Sequence, residues 1–272
     1  MPVTPALRLI RALANEGHRV FTIDRARELA SASGVSDGYL RQALHHLAKS
    51  GWLVWLRKGL YALSTSVPGV TSAHEFEIAM ALVPYGAISH WSALHYHGMT
   101  EQVPRKVFAI TPLNRSIPQS RSKQGRHEGS GFKVGGTLYQ FICVKPGRFF
   151  GTEKLWLGEA RVTITDPERT LLDGLTMPQH CGDFAEVLHA FEVRGNRLNL
   201  ERIIDYALRL DAATAKRLGW VLEQQGTSLG LLESLVRLPI KGYRTLDPRG
   251  PRKGPCNSRW MIQENLPGKV RS

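Results

Sequence analysis

The segment from Val35 to Ser50 restricts what this chain can fold into more than any other. Ser36 is a favourable helix N-cap, and Val35 before it pairs with Leu40 at the fourth helical position as a hydrophobic staple. Leu40, Leu44 and Leu47 then recur at i, i+4 and i+7, the apolar stripe of a helix. Gly51 ends it. Advancing about 100° per residue from Leu40 puts Gly38, Tyr39, Gln42, His45, His46 and Lys49 on the opposite face, with Arg41 at its flank. Such a helix must pack on one side and meet a polar partner or water on the other.

The neighbouring elements narrow the possibilities. Thr4 caps a first helix with Pro5 at its first position, where the missing N–H costs nothing. Leu9, Ile10 and Leu13 form its apolar stripe, and Gly17 stops it. Val20–Thr22 reads as a short extended piece. Ala26, Leu29 and Ala30 mark a second helix, closed by Ser31–Gly34. After Gly51, Trp52–Leu56 and Leu60–Leu63 are two short strands around Arg57-Lys58-Gly59, a hairpin with a basic tip. Helix, strand, helix, tight turn, helix and basic hairpin is the order of a winged helix-turn-helix over residues 1–65. On that reading the third helix enters a DNA major groove and the hairpin tip meets the phosphate backbone. The expected DNA-contacting residues are Ser36, Tyr39, Arg41, Gln42, His45, His46, Lys49, Arg57 and Lys58. A merely solvated face would favour Glu–Lys pairs, whereas this helix holds one acid, Asp37.

The charge distribution agrees. The net charge is +13, and it is unevenly placed. Residues 1–65 hold nine Lys and Arg against four Asp and Glu, residues 66–238 nineteen against seventeen, and residues 239–272 eight against two. A near-neutral middle between basic ends is the footprint of a protein whose ends meet a polyanion.

Ser64–Ser72 reads as a linker of small, turn-forming residues. Beyond it, helical patterns at Ala73–Val83 and Ser89–Tyr96 precede strand-like runs at Lys106–Thr111, Phe132–Val134, Leu138–Lys145 and Arg161–Ile164. From Asp166 the pattern is helical again: Pro167–Thr176, Asp183–Val193, Leu200–Leu210, Ala212–Gln225 and Leu229–Val236. The fold class expected is α+β, with a mixed α/β domain over residues 70–240 behind the winged helix. Asn114–His127 reads as a mobile basic loop and residues 241–272 as a basic, flexible tail.

No segment approaches the roughly 18 apolar residues of a membrane helix, and Met1-Pro2-Val3-Thr4-Pro5 has no secretory character. Three widely separated cysteines (Cys143, Cys181, Cys256) make neither a disulfide framework nor a metal knuckle, so a reducing cytoplasm is the expected location. His90, His95 and His97 do not share one helical face, and no HExxH accompanies them. Asp166, Glu168 and Asp173 could in principle hold a divalent ion for a nuclease. The simpler account is structural: Asp166 caps the helix that follows a strand, Pro167 takes its first position and Glu168 favours its positive end. No phosphate loop, nucleophile elbow or Cys–His dyad is visible. The expectation is a non-enzyme with no catalytic residue, no metal and no cofactor.

Two segments of the middle region carry a family resemblance. Ile88-Ser89-His90-Trp91-Ser92-Ala93-Leu94-His95-Tyr96-His97-Gly98-Met99-Thr100-Glu101-Gln102, followed by Lys106–Thr111 and by Ile164-Thr165-Asp166-Pro167-Glu168-Arg169-Thr170-Leu171-Leu172-Asp173, resembles the AbiEi-type antitoxins of abortive-infection toxin–antitoxin systems. The resemblance covers residues 5–238. It implies that the winged helix represses the antitoxin's own operon by binding inverted repeats in double-stranded DNA. It also implies that the remainder counters a nucleotidyltransferase-type toxin, with or without a stable complex. A stand-alone winged-helix regulator with a sensing or interaction domain is the alternative, and a metal-dependent nuclease the second. The segment after residue 240 lies outside the resemblance.

Overall fold

Thr4 opens the first helix as its side chain dictates, accepting from Leu7 N at 3.4 Å with Pro5 in the first turn. The computed structural model describes residues 4–64, 73–113, 117 and 131–266. Over the first of these stretches run α1 (Pro5–Asn15), β1 (Val20–Thr22), α2 (Ile23–Ala30), α3 (Asp37–Lys49), β2 (Leu53–Arg57) and β3 (Leu60–Leu63). The three helices close on one core, in which Leu9, Ile10, Leu13, Leu40, Leu44 and Leu47 are buried. Val35 and Leu40 sit there together, as a staple requires. Ser36 takes the N-cap position of α3, yet its side chain makes no capping bond. β1, β3 and β2 form an antiparallel sheet in that order. This is a winged helix-turn-helix.

The hairpin departs from a free wing. Tyr61 and Leu63 of β3 face the helices, while Leu60 and Ala62, with Leu56 of β2, face away into a second core. The period-2 alternation of a strand thus serves two layers. That second core includes Phe76, Ala79 and Leu82 of α4 (Glu75–Leu82) and one face of the large sheet. Arg19 bridges the same junction, within 3.4 Å of Glu77 and 3.5 Å of Glu159.

The large sheet consists of β4 (Ala87–Ile88), β5 (Lys106–Thr111), β6 (Phe132–Val134), β7 (Thr137–Cys143), β8 (Thr152–Leu157) and β9 (Ala160–Thr165), ordered β6-β7-β5-β4-β9-β8. The centre of β5, Val107–Ile110, is apolar because both faces are covered: Val107 and Ala109 point to the α4 side, Phe108 and Ile110 to the other. Between β4 and β5 lies α5 (His90–Tyr96). After β9 come α6 (Pro167–Thr176), α7 (Phe184–Arg194), α8 (Leu200–Leu210), α9 (Ala212–Gln224) and α10 (Glu233–Arg237), which build the largest core. The α+β class follows directly from this order.

The flexible-tail expectation is corrected over residues 241–266. β10 (Arg244–Thr245), β11 (Cys256–Asn257) and β12 (Ile262–Gln263) form a small sheet against α9, with Leu246, Trp260 and Ile262 fully buried. Trp260 lies over Gly219, where an added Cβ would come within 2.0 Å of the indole. Its Nε1 donates to Glu223 at 2.5 Å, and Arg217 of α9 donates to the Thr245 carbonyl at 3.0 Å. Asn265 closes the loop on itself, donating to the carbonyls of Asp247 (2.9 Å) and Pro251 (3.0 Å). Scattered charge, Pro and Gly suggested disorder, but one tryptophan seated on a glycine anchors the segment. Residues 267–272, most of the Ser64–Ser72 linker and the Asn114–His127 loop apart from Ile117 lie outside the described residues.

Candidate nucleic-acid interface

All nine residues expected to contact DNA are exposed: Ser36, Tyr39, Arg41, Gln42, His45, His46 and Lys49 along α3, and Arg57 and Lys58 at the hairpin. From Tyr39 to Lys49 the face runs about 15 Å along the helix axis. It presents the side-chain types that read base edges: guanidinium and ammonium for guanine, a carboxamide for adenine.

Ion pairing shapes its charge. Asp37, the single acid of α3, is engaged by Arg27 of α2 (Nε to Oδ1, 2.7 Å), which also holds Asp24 at 2.6 Å. Arg25 is likewise committed to Glu16 at 2.6 Å and to Glu28. By contrast, Arg41, Lys49 and Lys58 make no ion pair among the described residues. The arginines of α2 are spent internally and the cations of α3 and the hairpin tip face solvent. Arg57 is the less free of the hairpin pair, its guanidinium lying 3.5 Å from the Ala81 carbonyl of α4.

The acidic motif has a different character. Asp166 Oδ1 accepts from Arg169 N at 2.8 Å, the expected N-cap, and Oδ2 accepts from the Tyr206 hydroxyl at 3.0 Å. Glu168 is buried and accepts from Asn199 N (3.1 Å) and Arg194 (3.4 Å), with Arg202 3.5 Å away. Asp173 pairs with Arg169 at 2.9 Å, and Arg169 also donates to the carbonyls of Arg148 and Phe150. Burial raises the Asp166 carboxyl above its ordinary range, against the opposing bonds from Arg169 and Tyr206, and it raises Asp173 against the pull of Arg169. Both Asp166 oxygens, Glu168 Oε1 and Asp173 Oδ1 are occupied by the protein's own donors, while Asp173 Oδ2 is buried without a hydrogen-bond partner among the described residues. No group of three or more His, Cys, Asp and Glu that could hold a metal occurs among the described residues.

The two segments that carried the resemblance meet in space. Ile88 pairs with Ile164 in parallel β4 and β9, and His97 Nε2 donates to the Thr165 carbonyl at 2.7 Å. His95 is exposed, whereas His90 is buried with Nδ1 2.9 Å from Ser89 Oγ. The three histidines therefore face three different environments. Burial, with His180 and Arg169 nearby, holds His90 well below the usual imidazole range. All three cysteines are free, and burial pushes the Cys181 thiol up.

A cavity of about 770 Å³ opens beside α5, β5 and β7, with Arg249 at its edge. Its residues come from positions 91 to 249 with no shared spacing, so no linear signal marks it.

The exposed α3 face on a winged helix, backed by an α+β body, defines the class. Residues 8–64 match the family described as transcriptional regulator, AbiEi antitoxin, in line with the resemblance read from the sequence. The match covers the winged helix. No curated protein matches the chain. Among solved structures, the fold is similar to that of the RV2827C protein from Mycobacterium tuberculosis, with a TM-score of 0.67 over 95% of this chain and 90% of that one at 14% identity. No helix among the described residues is long and apolar enough to cross a membrane.

Proposed function

We propose that this chain is a cytoplasmic antitoxin that binds double-stranded DNA through α3, represses its own operon at an inverted repeat and counteracts a nucleotidyltransferase-type toxin. The observation that carries the reading is the α3 face, whose one acid is neutralised from behind by Arg27 while Arg41 and Lys49 point outward. Gln42 reads a base edge and Lys58 holds a phosphate. The family to which residues 8–64 are similar supports both the regulator and the antitoxin parts. The protein is not itself an enzyme on this account, and the occupied oxygens of Asp166 and Glu168 support that. The test has two arms. Duplex DNA from upstream of the reading frame should bind more tightly than random duplex. Co-expression with the adjacent reading frame should rescue growth from its toxicity. Specific DNA binding without rescue by any adjacent gene would favour a stand-alone regulator, and magnesium-dependent cleavage of the DNA would favour a nuclease.

A further inference from the structure

The cavity beside α5 has the volume of a small-molecule site, about 770 Å³ against a usual range of roughly 300–1,000 Å³. Trp91 and Phe108 give it aromatic walls, Gln140 an amide, and Arg105, Lys106 and Arg249 its charge; none of its lining residues is acidic. Arg105 and Arg249 are exposed, and neither makes an ion pair among the described residues. Two lining residues hold buried polar atoms without a hydrogen-bond partner among the described residues: Trp91 Nε1, a donor, and Gln140 Oε1, an acceptor. Buried groups of this kind are costly unless something pairs with them.

A third orphan stands behind the wall. His90 is fully buried, with Nε2 unpartnered among the described residues, and it adopts φ +51°, a left-handed backbone that a non-glycine residue rarely takes. Its ring stands edge-on to His180 at 5.5 Å, and His180 lines the cavity. Local strain of this kind clusters at ligand sites.

Aromatic walls, a donor and an acceptor left open, and Arg105 and Arg249 without an ion pair among the described residues are complementary to a planar heterocycle that carries phosphate. We infer that this cavity binds a nucleoside phosphate, the base against Trp91 and Phe108 and the phosphate toward Arg105, Lys106 and Arg249. The site is separate from α3 and goes beyond its reading as a DNA-contacting helix. The same chemistry is offered by a free nucleotide and by a nucleotide within a single strand.

Calorimetric titration of the full chain distinguishes these sources. The probes are AMP, GMP, CMP and UMP, their triphosphates and nucleosides, inorganic phosphate and a short single-stranded DNA. At least one nucleoside phosphate should bind saturably, with its nucleoside and inorganic phosphate about tenfold weaker or worse. Arg249→Ala, at an exposed position, and Gln140→Leu should each weaken binding by about tenfold while duplex binding through α3 stays intact. Binding of mononucleotides assigns a free ligand. Binding of the single strand alone, with the same dependence on Arg249 and Gln140, assigns a base within a strand. Absence of binding by every probe, or binding indifferent to both substitutions, would overturn the inference.

Discussion

Replacing Asp166 separates a cap from a catalyst. In Asp166→Ala the Arg169 N–H loses its acceptor at 2.8 Å and the Tyr206 hydroxyl loses one at 3.0 Å. Loss of an N-cap costs about 0.5–2 kcal/mol, and the bond of the half-buried Tyr206 hydroxyl, which can turn to water, adds up to about 1 kcal/mol. The combined expectation is about 0.5–3 kcal/mol. At roughly 2–4 °C per kcal/mol for a chain near this size, that lowers Tm by about 1–12 °C. Asp166→Asn keeps an oxygen for Arg169 N and offers Tyr206 an N–H, so it should melt like the parent at acidic pH and no lower than the parent at neutral pH. The pH dependence carries a sign. Burial raises the Asp166 carboxyl, so the folded state holds its proton to higher pH than the unfolded chain. Its contribution is therefore fully present below the unfolded pKa and declines as pH rises through the raised folded value. Asp166→Asn should remove that decline. Thermal melts across the acidic range, paired with growth rescue, read both effects. An Asp166→Asn protein that melts like the parent yet fails to rescue growth would refute the structural role and demand a carboxylate.

Other substitutions test the packing and the backbone contacts. Trp260→Ala should destabilise by about 3–5 kcal/mol, because the indole is fully buried and bonded to Glu223; chemical denaturation measures it, and a near-silent change would restore the loose tail. Lys58→Ala should lower the slope of log affinity against log salt by about one on any duplex, with Arg57→Ala falling short of that because its guanidinium leans on the Ala81 carbonyl; equal slopes for both variants and the parent would remove the hairpin from the interface.

The winged helix was legible because its information is local. Caps, staple, stripe and hairpin tip lie within a few residues of each other, and α1, α2, α3 and the hairpin form where Thr4, Val35, Leu40 and Gly59 place them. β5 was equally readable from its apolar run and α8 from a stripe that matches its burial, whereas α6 was readable from its Asp166 cap and Pro167, since Glu168, Arg169, Thr170 and Asp173 are buried together with its leucines. What could not be read is what depends on distant partners. β8 carries Glu153, Lys154 and an exposed Trp156 at a sheet edge, so it lacks the apolar run of a central strand. Glu233–Arg237 is shorter than the Leu229–Val236 pattern suggested because Leu229 and Leu231 remain exposed. The second core beneath the hairpin is invisible because Leu56, Leu60 and Ala62 meet α4 only after folding. The C-terminal segment was misread for the same reason: Trp260 finds Gly219 forty-one residues earlier in the chain. The Asp166 cap was legible from the dipeptide Asp-Pro after a strand, but its bond to Tyr206 was not.

The central claim is that α3 reads DNA sequence, and Gln42 tests it most directly. The affinity of the parent and of Gln42→Ala for upstream duplex and for random duplex should be measured at one salt concentration. Gln42 is exposed on the face opposite Leu40 and Leu44, so its loss should leave the fold unchanged. The account predicts a loss of about 1–3 kcal/mol on the upstream duplex and little change on the random one. An equal loss on both, or no loss on either, would contradict it.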